Sequence, residues 1–264
     1  MHGRSDACRR LWSCHASQVH VVRTQTSQRP SDTSNNVKTA ALVLAAGKGR
    51  RFNNSTPKQL HKLGGVELLV RSVKAFTASP QIAFVVVVVD DDLKEKSAEI
   101  LSQYDLSDIL MIPGGRSRQE SVIKGLEVLQ GNTPHKVAIH DSARPLFKGE
   151  ELVEILPLVK PGVGIVVGKP ASDTIYRFVN DLATPLERSS LWIAETPQCF
   201  MFEEILAAHW SASQERLHSA TDDAQLYIEC GGKVAFYHYD SPNLKITYPE
   251  DLQIAEVLLC RDSS

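Results

Sequence analysis

The chain has 264 residues, 42% of them hydrophobic and 23% charged, with a formal net charge of -2. That length buries one sizeable core, as one α/β domain or two small ones. The near-neutral balance gives no field for general nucleic-acid or membrane-surface binding, so cations count here only where they cluster. No apolar run approaches the roughly 20 residues that a membrane-spanning helix needs. Five cysteines, Cys8, Cys14, Cys199, Cys230 and Cys260, form neither a metal-ligand spacing nor a disulfide framework, which fits a reducing compartment.

Residues 1–38 are rich in Ser, Thr, Arg and His, carry only Asp6 and Asp32 as acids, and show no sustained periodicity. The expectation is a disordered or targeting extension that adds nothing to the core, ahead of a folded domain over 39–264. A cytoplasmic location follows, or a plastid-type organelle if the extension is a transit peptide.

From Thr39 onward strand-like and helix-like segments alternate. An apolar strand over 40–45 breaks into Ala45-Ala46-Gly47-Lys48-Gly49-Arg50-Arg51, followed by Pro57-Lys58-Gln59. Small residues after a strand let backbone N–H groups approach phosphate oxygens, and Arg51 and Lys58 supply positive charge there. An ordinary tight turn would also use Gly, but not the cations. A helix at about 67–78 leads to a strand at 83–89, whose five consecutive valines are apolar on both faces, as a central parallel strand must be. Asp90-Asp91-Asp92 follows it.

A helix at about 93–103 and a strand at 108–112 lead to Gly114-Gly115 and a helix over 117–130, whose start can offer N–H groups and Ser121 to a nucleotide. A plain N-cap with solvated arginines would look the same. The strand at 136–140 ends in His140-Asp141. Asp141 beside small residues suits a Mg²⁺ carried by a triphosphate, or, more plainly, a helix cap or an ion pair with Arg144. His140 reads as a satisfied structural residue.

A helix at about 149–159 and a strand at 163–167 precede a polar stretch, about 169–198, that reads as a protruding β-arm. Thr196-Pro197-Gln198, Thr221-Asp222-Asp223 and Thr247 to Asp251 all read as helix starts. A last strand covers 234–239, and Lys245 is expected in a strand just before the turn, pointing at the other strand ends. The alternation predicts a doubly wound, mostly parallel α/β sheet, with one composite site at the carboxyl ends of its strands.

Ala45-Ala-Gly-Lys-Gly-Arg-Arg51, Pro57-Lys-Gln59, Gly114-Gly-x-x-Arg118-x-x-Ser121-Val, His140-Asp-x-Ala-Arg-Pro145, Asp173-Thr174, Arg188-x-x-Leu-Trp192, Thr196-Pro-Gln198, Thr221-Asp222 and Lys245-x-Thr-x-Pro-Glu-Asp251 stand in this order. Their succession resembles the 2-C-methyl-D-erythritol 4-phosphate cytidylyltransferases over nearly everything after residue 38. Ser142 stands where that pattern usually has Ala, and Leu44 where it often has Pro; neither change removes a functional group.

The resemblance implies a Rossmann-like nucleotidyltransferase fold and transfer of CMP from CTP to the sugar-alcohol phosphate, in the non-mevalonate isoprenoid pathway, with Mg²⁺ or another divalent cation. It implies that Ala45, Ala46, Gly47, Gly115 and Ser121 hold the nucleotide. Arg51, Lys58 and Lys245 act on the triphosphate, and Asp141 serves the nucleotide, the acceptor and the metal. Thr174, Arg188, Thr196, Thr221 and Lys245 surround the acceptor, with the arm reaching across a homodimer. A ribitol 5-phosphate cytidylyltransferase is the nearest alternative, set aside because Arg188-x-x-Leu-Trp192 precedes Thr196-Pro-Gln198. A non-catalytic scaffold of the same fold would be expected to lack Arg51, Lys58 or Asp141.

Overall fold

A computed structural model describes residues 20–22, 37–47, 49–52 and 56–262 of the protein. Its strands are β1 (His20–Val22), β2 (Thr39–Ala45), β3 (Lys62–Leu63), β4 (Val66–Glu67), β5 (Ile82–Val89), β6 (Leu110–Pro113), β7 (Lys136–Asp141), β8 (Val163–Pro170), β9 (Tyr176–Val179), β10 (Leu182–Pro185), β11 (Trp192–Met201) and β12 (Lys233–His238). The helices among the described residues are α1 (Leu68–Thr77), α2 (Lys94–Ser102), α3 (Arg118–Gln130), α4 (Leu152–Ile155), α5 (Phe202–Ser211), α6 (Gln214–Ser219), α7 (Asp223–Glu229) and α8 (Pro249–Asp262).

Eight strands form the main sheet in the order β1-β12-β8-β11-β7-β2-β5-β6. Every pairing is parallel except those of β11, which runs antiparallel to both β7 and β8. The all-apolar strands are explained by the two layers they separate. Ala41, Val43 and Ala45 of β2, with Val87 and Val89 of β5, pack on the side of α1, α2 and α4. Ala40, Leu42, Leu44, Val86 and Val88 face α3, α5 and α7. Each fully buried Val or Leu stabilises the fold by about 1.5–3 kcal/mol relative to exposure, so neither face tolerates the polar alternation of a surface strand.

Four local expectations are corrected. The helix read at 149–159 is broken: 3₁₀ turns at Gly149–Glu151 and Leu156–Leu158 flank the short α4, and Pro157 has no N–H with which to continue an α-helix. Thr196-Pro197-Gln198 starts no helix but lies inside β11. The register against β8 shifts between Ala194 and Gln198, and a bulge is where a sheet accommodates Pro. The free-standing arm is therefore shorter than 169–198, because Trp192 onward belongs to the main sheet. Finally, His20–Val22 adds a short parallel edge strand on β12, contrary to an extension with no strand; residues 1–19 and 23–36 lie outside the described residues.

The arm's tip is the hairpin β9–β10, paired Tyr176 with Pro185 through Val179 with Leu182. Its two-residue turn, Asn180-Asp181, has positive φ at both positions, the type I′ geometry that matches strand twist and that Asn and Asp accept. All eight hairpin residues are exposed, including Phe178 at 68% and Leu182 at 72%. No helix among the described residues is long and apolar enough to cross a membrane.

Candidate active site

The carboxyl ends of β2, β5, β6 and β7 open on a cavity of about 1110 Å³, the place where open parallel sheets bind ligands. Ala45, Ala46, Gly47, Lys58, Gly115, Ser121, Asp141 and Lys245 all line it. The composite site expected from the strand ends thus draws on five separate stretches of the chain, 45–47, 58, 115–121, 141 and 245.

One wall is the Gly114-Gly115 turn before α3. A side chain on Gly114 would collide with Ala46 of the opposite loop, so the two loops approach closely because both are small. Ser117 caps α3, accepting from Glu120 N at 3.1 Å, while the Glu120 carboxylate accepts from Arg116 N at 2.8 Å; the Ser-x-x-Glu spacing is that of a capping box. Ser121 Oγ accepts from Gly115 N at 3.0 Å and donates to Ser117 O at 2.9 Å. The serine therefore sets the shape of the turn as well as lining the cavity.

The opposite wall carries the charge. Lys245 Nζ donates to Asp141 Oδ2 at 2.6 Å, and Arg118 Nε donates to Asp141 Oδ1 at 3.2 Å. Burial pushes the Asp141 carboxyl up, but Arg118 and Lys245 outweigh it and hold the group well below the usual carboxylate range. Lys58 Nζ donates to a neutral carbonyl, Ile246 O, at 2.9 Å. Burial is the main reason its pKa is lowered, followed by Lys245, with Asp141 opposing.

These cations are carried by a satellite core. Phe52, Leu63, Leu68, Leu146, Ile246 and Ala255 pack together, so Arg51 and Lys245 flank buried anchors. Ile246 N also donates to Ala143 O at 2.7 Å, tying the Lys245 segment to the Asp141 loop. Lys245 lies outside any strand, contrary to the strand expected for it. The Thr247-to-Asp251 motif does start a helix, as expected: Asp251 Oδ2 accepts from Thr247 N and Tyr248 N at 2.7 and 2.8 Å, and Pro249 opens α8.

Five sequence-predicted residues stand off the cavity wall. Arg51, in the 3₁₀ turn Arg50–Phe52, is exposed, with its guanidinium 5.8 Å from the centre of the Tyr248 ring. Thr174 and Arg188 are exposed on the arm, where Arg188 Nη1 donates to Ser172 O at 3.1 Å. Thr221 is exposed just before α7, which Asp222 caps by accepting from Gln225 N at 3.0 Å.

Thr196 is buried behind Asp141, with its Oγ1 accepting from Asp141 N at 3.1 Å and lying 3.1 Å from His140 Nδ1. His140 Nε2 lies 3.2 Å from Arg144 O. The network assigns the imidazole proton to Nε2, so that the Thr196 hydroxyl donates to Nδ1. Burial pushes the His140 pKa down to about 4, in keeping with a neutral structural histidine. The Asp141–Arg144 pair is not formed: Arg144 Nη1 donates to Asn243 O at 2.7 Å and lies 3.8 Å from Glu195.

Arg118 is the residue that the sequence reading left without a role. It opens α3 and bridges Asp141 to Asp223, with Nη2 2.8 Å from Asp223 Oδ2. Its sequence signals are its place at the start of the helix after Gly-Gly and its position in the motif Gly114-Gly-x-x-Arg118-x-x-Ser121-Val, neither of which names its partners.

Among the described residues no group of three or more His, Cys, Asp or Glu side chains is placed to hold a metal ion. An ionised carboxylate such as Asp141 beside loops of small residues is nonetheless a donor that Mg²⁺ accepts when phosphate oxygens and waters complete its shell. Asp141 fits a Mg²⁺ that arrives with a polyphosphate, and no dedicated cage.

A doubly wound sheet that sets small-residue loops against a lysine-rich wall defines a nucleotidyltransferase of Rossmann-like fold. The sequence profile described as 2-C-methyl-D-erythritol 4-phosphate cytidylyltransferase matches residues 39–261. The enzyme of that name from Carboxydothermus hydrogenoformans is 36% identical over 226 residues, covering 85% of this chain and 96% of its own. The one from Bacillus licheniformis is 34% identical over 220 residues, covering 83% and 94%. The crystal structure of the 4-diphosphocytidyl-2C-methyl-D-erythritol synthase from Anaerococcus prevotii superposes with a TM-score of 0.73 at 25% identity, covering 86% of this chain and all of that one. The chain belongs to the 2-C-methyl-D-erythritol 4-phosphate cytidylyltransferase family.

Proposed function

We propose that the protein transfers CMP from CTP to 2-C-methyl-D-erythritol 4-phosphate, giving 4-diphosphocytidyl-2-C-methyl-D-erythritol and pyrophosphate in the non-mevalonate isoprenoid pathway. The observation that carries this reading is the cavity wall on which Lys58, Lys245 and Asp141 meet the Ala45–Gly47 loop, in a chain that matches the family from residue 39 to 261.

An oxygen of the acceptor phosphate attacks the α-phosphorus of CTP, the bridging bond to the β-phosphate breaks, and pyrophosphate leaves with the electron pair. The nucleophile is already anionic, so no general base is required. The barrier lies in bringing two anions together and in the charge that gathers on the α-phosphate oxygens. Fixed cations in a water-poor cleft lower that barrier most.

Lys58 is suited to this because its ammonium is engaged only with a carbonyl in the described contacts, whereas Lys245 shares its charge with Asp141. Arg51 stands at the rim, within reach of incoming phosphates after leaving the Tyr248 ring. Ala45, Ala46, Gly47, Gly115 and Ser121 take the cytidine. Asp141 would hold the Mg²⁺ that accompanies CTP, which when bound neutralises phosphate charge and polarises the reacting phosphoryl group.

The acceptor is assigned to Asp141, Thr174, Arg188, Thr196, Thr221 and Lys245, with Thr196 acting by orienting the Asp141 backbone. The arm carries Thr174 and Arg188 and exposes Tyr176, Phe178, Val179 and Leu182, an apolar surface that a single chain leaves in water. A homodimer in which the arm crosses to the partner covers that surface and completes the acceptor site. Pyrophosphate release from CTP, measured with the methylerythritol phosphate and with ribitol 5-phosphate, tests the assignment: turnover is expected with the first, and turnover with ribitol 5-phosphate alone would overturn it.

A further inference from the structure

A file of paired polar side chains, alternately basic and acidic, runs from the cavity wall into the protein interior. Lys245 Nζ is 2.6 Å from Asp141 Oδ2, and Asp141 Oδ1 is 3.2 Å from Arg118 Nε. Arg118 Nη2 is 2.8 Å from Asp223 Oδ2, and Asp223 Oδ1 is 3.2 Å from His209 Nε2. Asp223 and His209 are fully buried, where an ionised carboxylate persists only if it is paired. Burial raises the Asp223 carboxyl, but Arg118 and then His209 hold it low, so the group keeps its charge. Arg118 opens α3, Asp223 opens α7 and His209 lies in α5. The file thus pins three helices together directly behind Asp141.

We infer that Asp223, oriented by His209, is a positioning residue for nucleotidyl transfer, holding Arg118 so that the guanidinium touches only one oxygen of Asp141 and leaves the other to Lys245. The inference rests on the proposed function, in which Lys245 and Asp141 face the reacting groups. Its physical core is the fork of the guanidinium. Arg118 presents Nε to Asp141 and Nη2 to Asp223. Without the Asp223 charge its favoured pairing becomes bidentate on the remaining carboxylate. That pairing takes Asp141 Oδ2 from Lys245 and draws Asp141 back from the cavity. Among the described residues, Asp223 makes no direct contact with the nucleotide loops at Ala45–Gly47 and Gly115, so nucleotide binding should suffer less than turnover.

The test is steady-state pyrophosphate release by the full chain, with thermal melting as the control for folding. Asp223→Asn keeps the shape and removes the charge. It should lower kcat by about tenfold to a hundredfold, the usual cost of losing an outer partner of a catalytic group, while KM for CTP moves less than about threefold. The decisive arm is a double-mutant cycle with Arg118→Gln. If Asp223 acts through Arg118, the double variant should turn over about as fast as Arg118→Gln alone.

A merely structural role predicts lower melting temperatures with no such coupling in kcat. A folded Asp223→Asn enzyme within about twofold of wild-type kcat overturns the inference, as do costs that multiply in the double variant. Should Asp223→Asn fail to fold, His209→Leu removes the group that orients Asp223 while keeping its charge. It should lower kcat about threefold to tenfold, and wild-type kcat in that variant overturns the inference equally. Absence of turnover in the wild-type enzyme would refute the proposed function, and this inference with it, whereas an active wild type beside unaffected variants refutes the inference alone.

Discussion

Replacing Lys58 with methionine separates catalysis from folding, because its ammonium donates to the neutral Ile246 carbonyl at 2.9 Å in a partly buried position next to Lys245. The fold disfavours this charge, as its lowered pKa records, with burial the larger cause and Lys245 the next. Lys58→Met therefore relieves a desolvated like-charge pair while giving up one hydrogen bond of about 1 kcal/mol, and the two effects oppose. For a domain of this size the melting temperature should move by no more than about 3 °C. Turnover should move much further. A positioned donor on a developing oxyanion is worth about 10²–10³ in kcat, roughly 2.7–4 kcal/mol, and methionine keeps the length of the side chain without the charge. Pyrophosphate release and differential scanning calorimetry on one preparation give both numbers. A well-folded Lys58→Met enzyme that keeps more than a tenth of wild-type kcat would refute the placement of this cation at the reacting phosphates.

The arm gives a second prediction: Phe178→Ser with Leu182→Ser should shift the protein from dimer to monomer in light scattering and lower activity with it, and an unchanged mass would count against the arm as the interface. Mixed and allowed to exchange subunits, Lys58→Ala and Arg188→Ala should regain activity up to about a quarter of wild type, since half the molecules are hybrids with one intact site; no recovery despite proven exchange argues for sites built within one chain. Among the described residues, a chain starting at Val37 loses the edge pairing of His20–Val22 with Ala235–Tyr237, at the sheet edge away from the cavity. It should keep its kcat within about twofold and its melting temperature within a few degrees, and a larger loss would give the N-terminal strand a structural role. His140 makes stability depend on pH. Its folded pKa of about 4 lies below the ordinary imidazole value of 6.5, so the unfolded chain binds the extra proton. Stability is full above pH 6.5 and lost as pH falls towards 4, by on the order of 3 kcal/mol. His140→Asn should flatten urea-unfolding free energies across that window, and an unchanged slope would assign the proton elsewhere.

The parallel core was legible because its strands are apolar on both faces and Ser117 signals the start of α3: β2 and β5 fall within a residue of their expected bounds, and α3 begins at Arg118, one residue after the expected start. What was not legible depends on neighbours. Thr196-Pro197 has the composition of a helix start, yet hydrogen bonds from β7 and β8 and a register shift make it part of a strand; no local pattern announces a bulge in a central strand. Eight of the residues that line the cavity could be named from motifs, because most of them end a strand, follow one or open a helix. Arg118 had no such signal for its partners, since Asp141 and Asp223 are 23 and 105 residues away in sequence and meet it only once α3 and α7 have packed.

The reversal of β11 joins the arm to the chemistry. In a parallel sheet every strand delivers its carboxyl end to one edge, but an antiparallel strand begins there. The end of β8 at Pro170 and the start of β11 at Trp192, which pair with each other, therefore both emerge on the cavity side, and everything between them must hang from that edge. Four residues further along β11, Thr196 holds the backbone N–H of Asp141. At no more than about 3.3 Å per residue, and less across the register shift after Ala194, the root of the arm stands within about 13 Å of the Asp141 backbone N–H. An arm covered by a second subunit would thus be braced through one continuous strand against the centre of the site, so the proposed dimerisation and the placement of Asp141 would both follow from the same reversed strand.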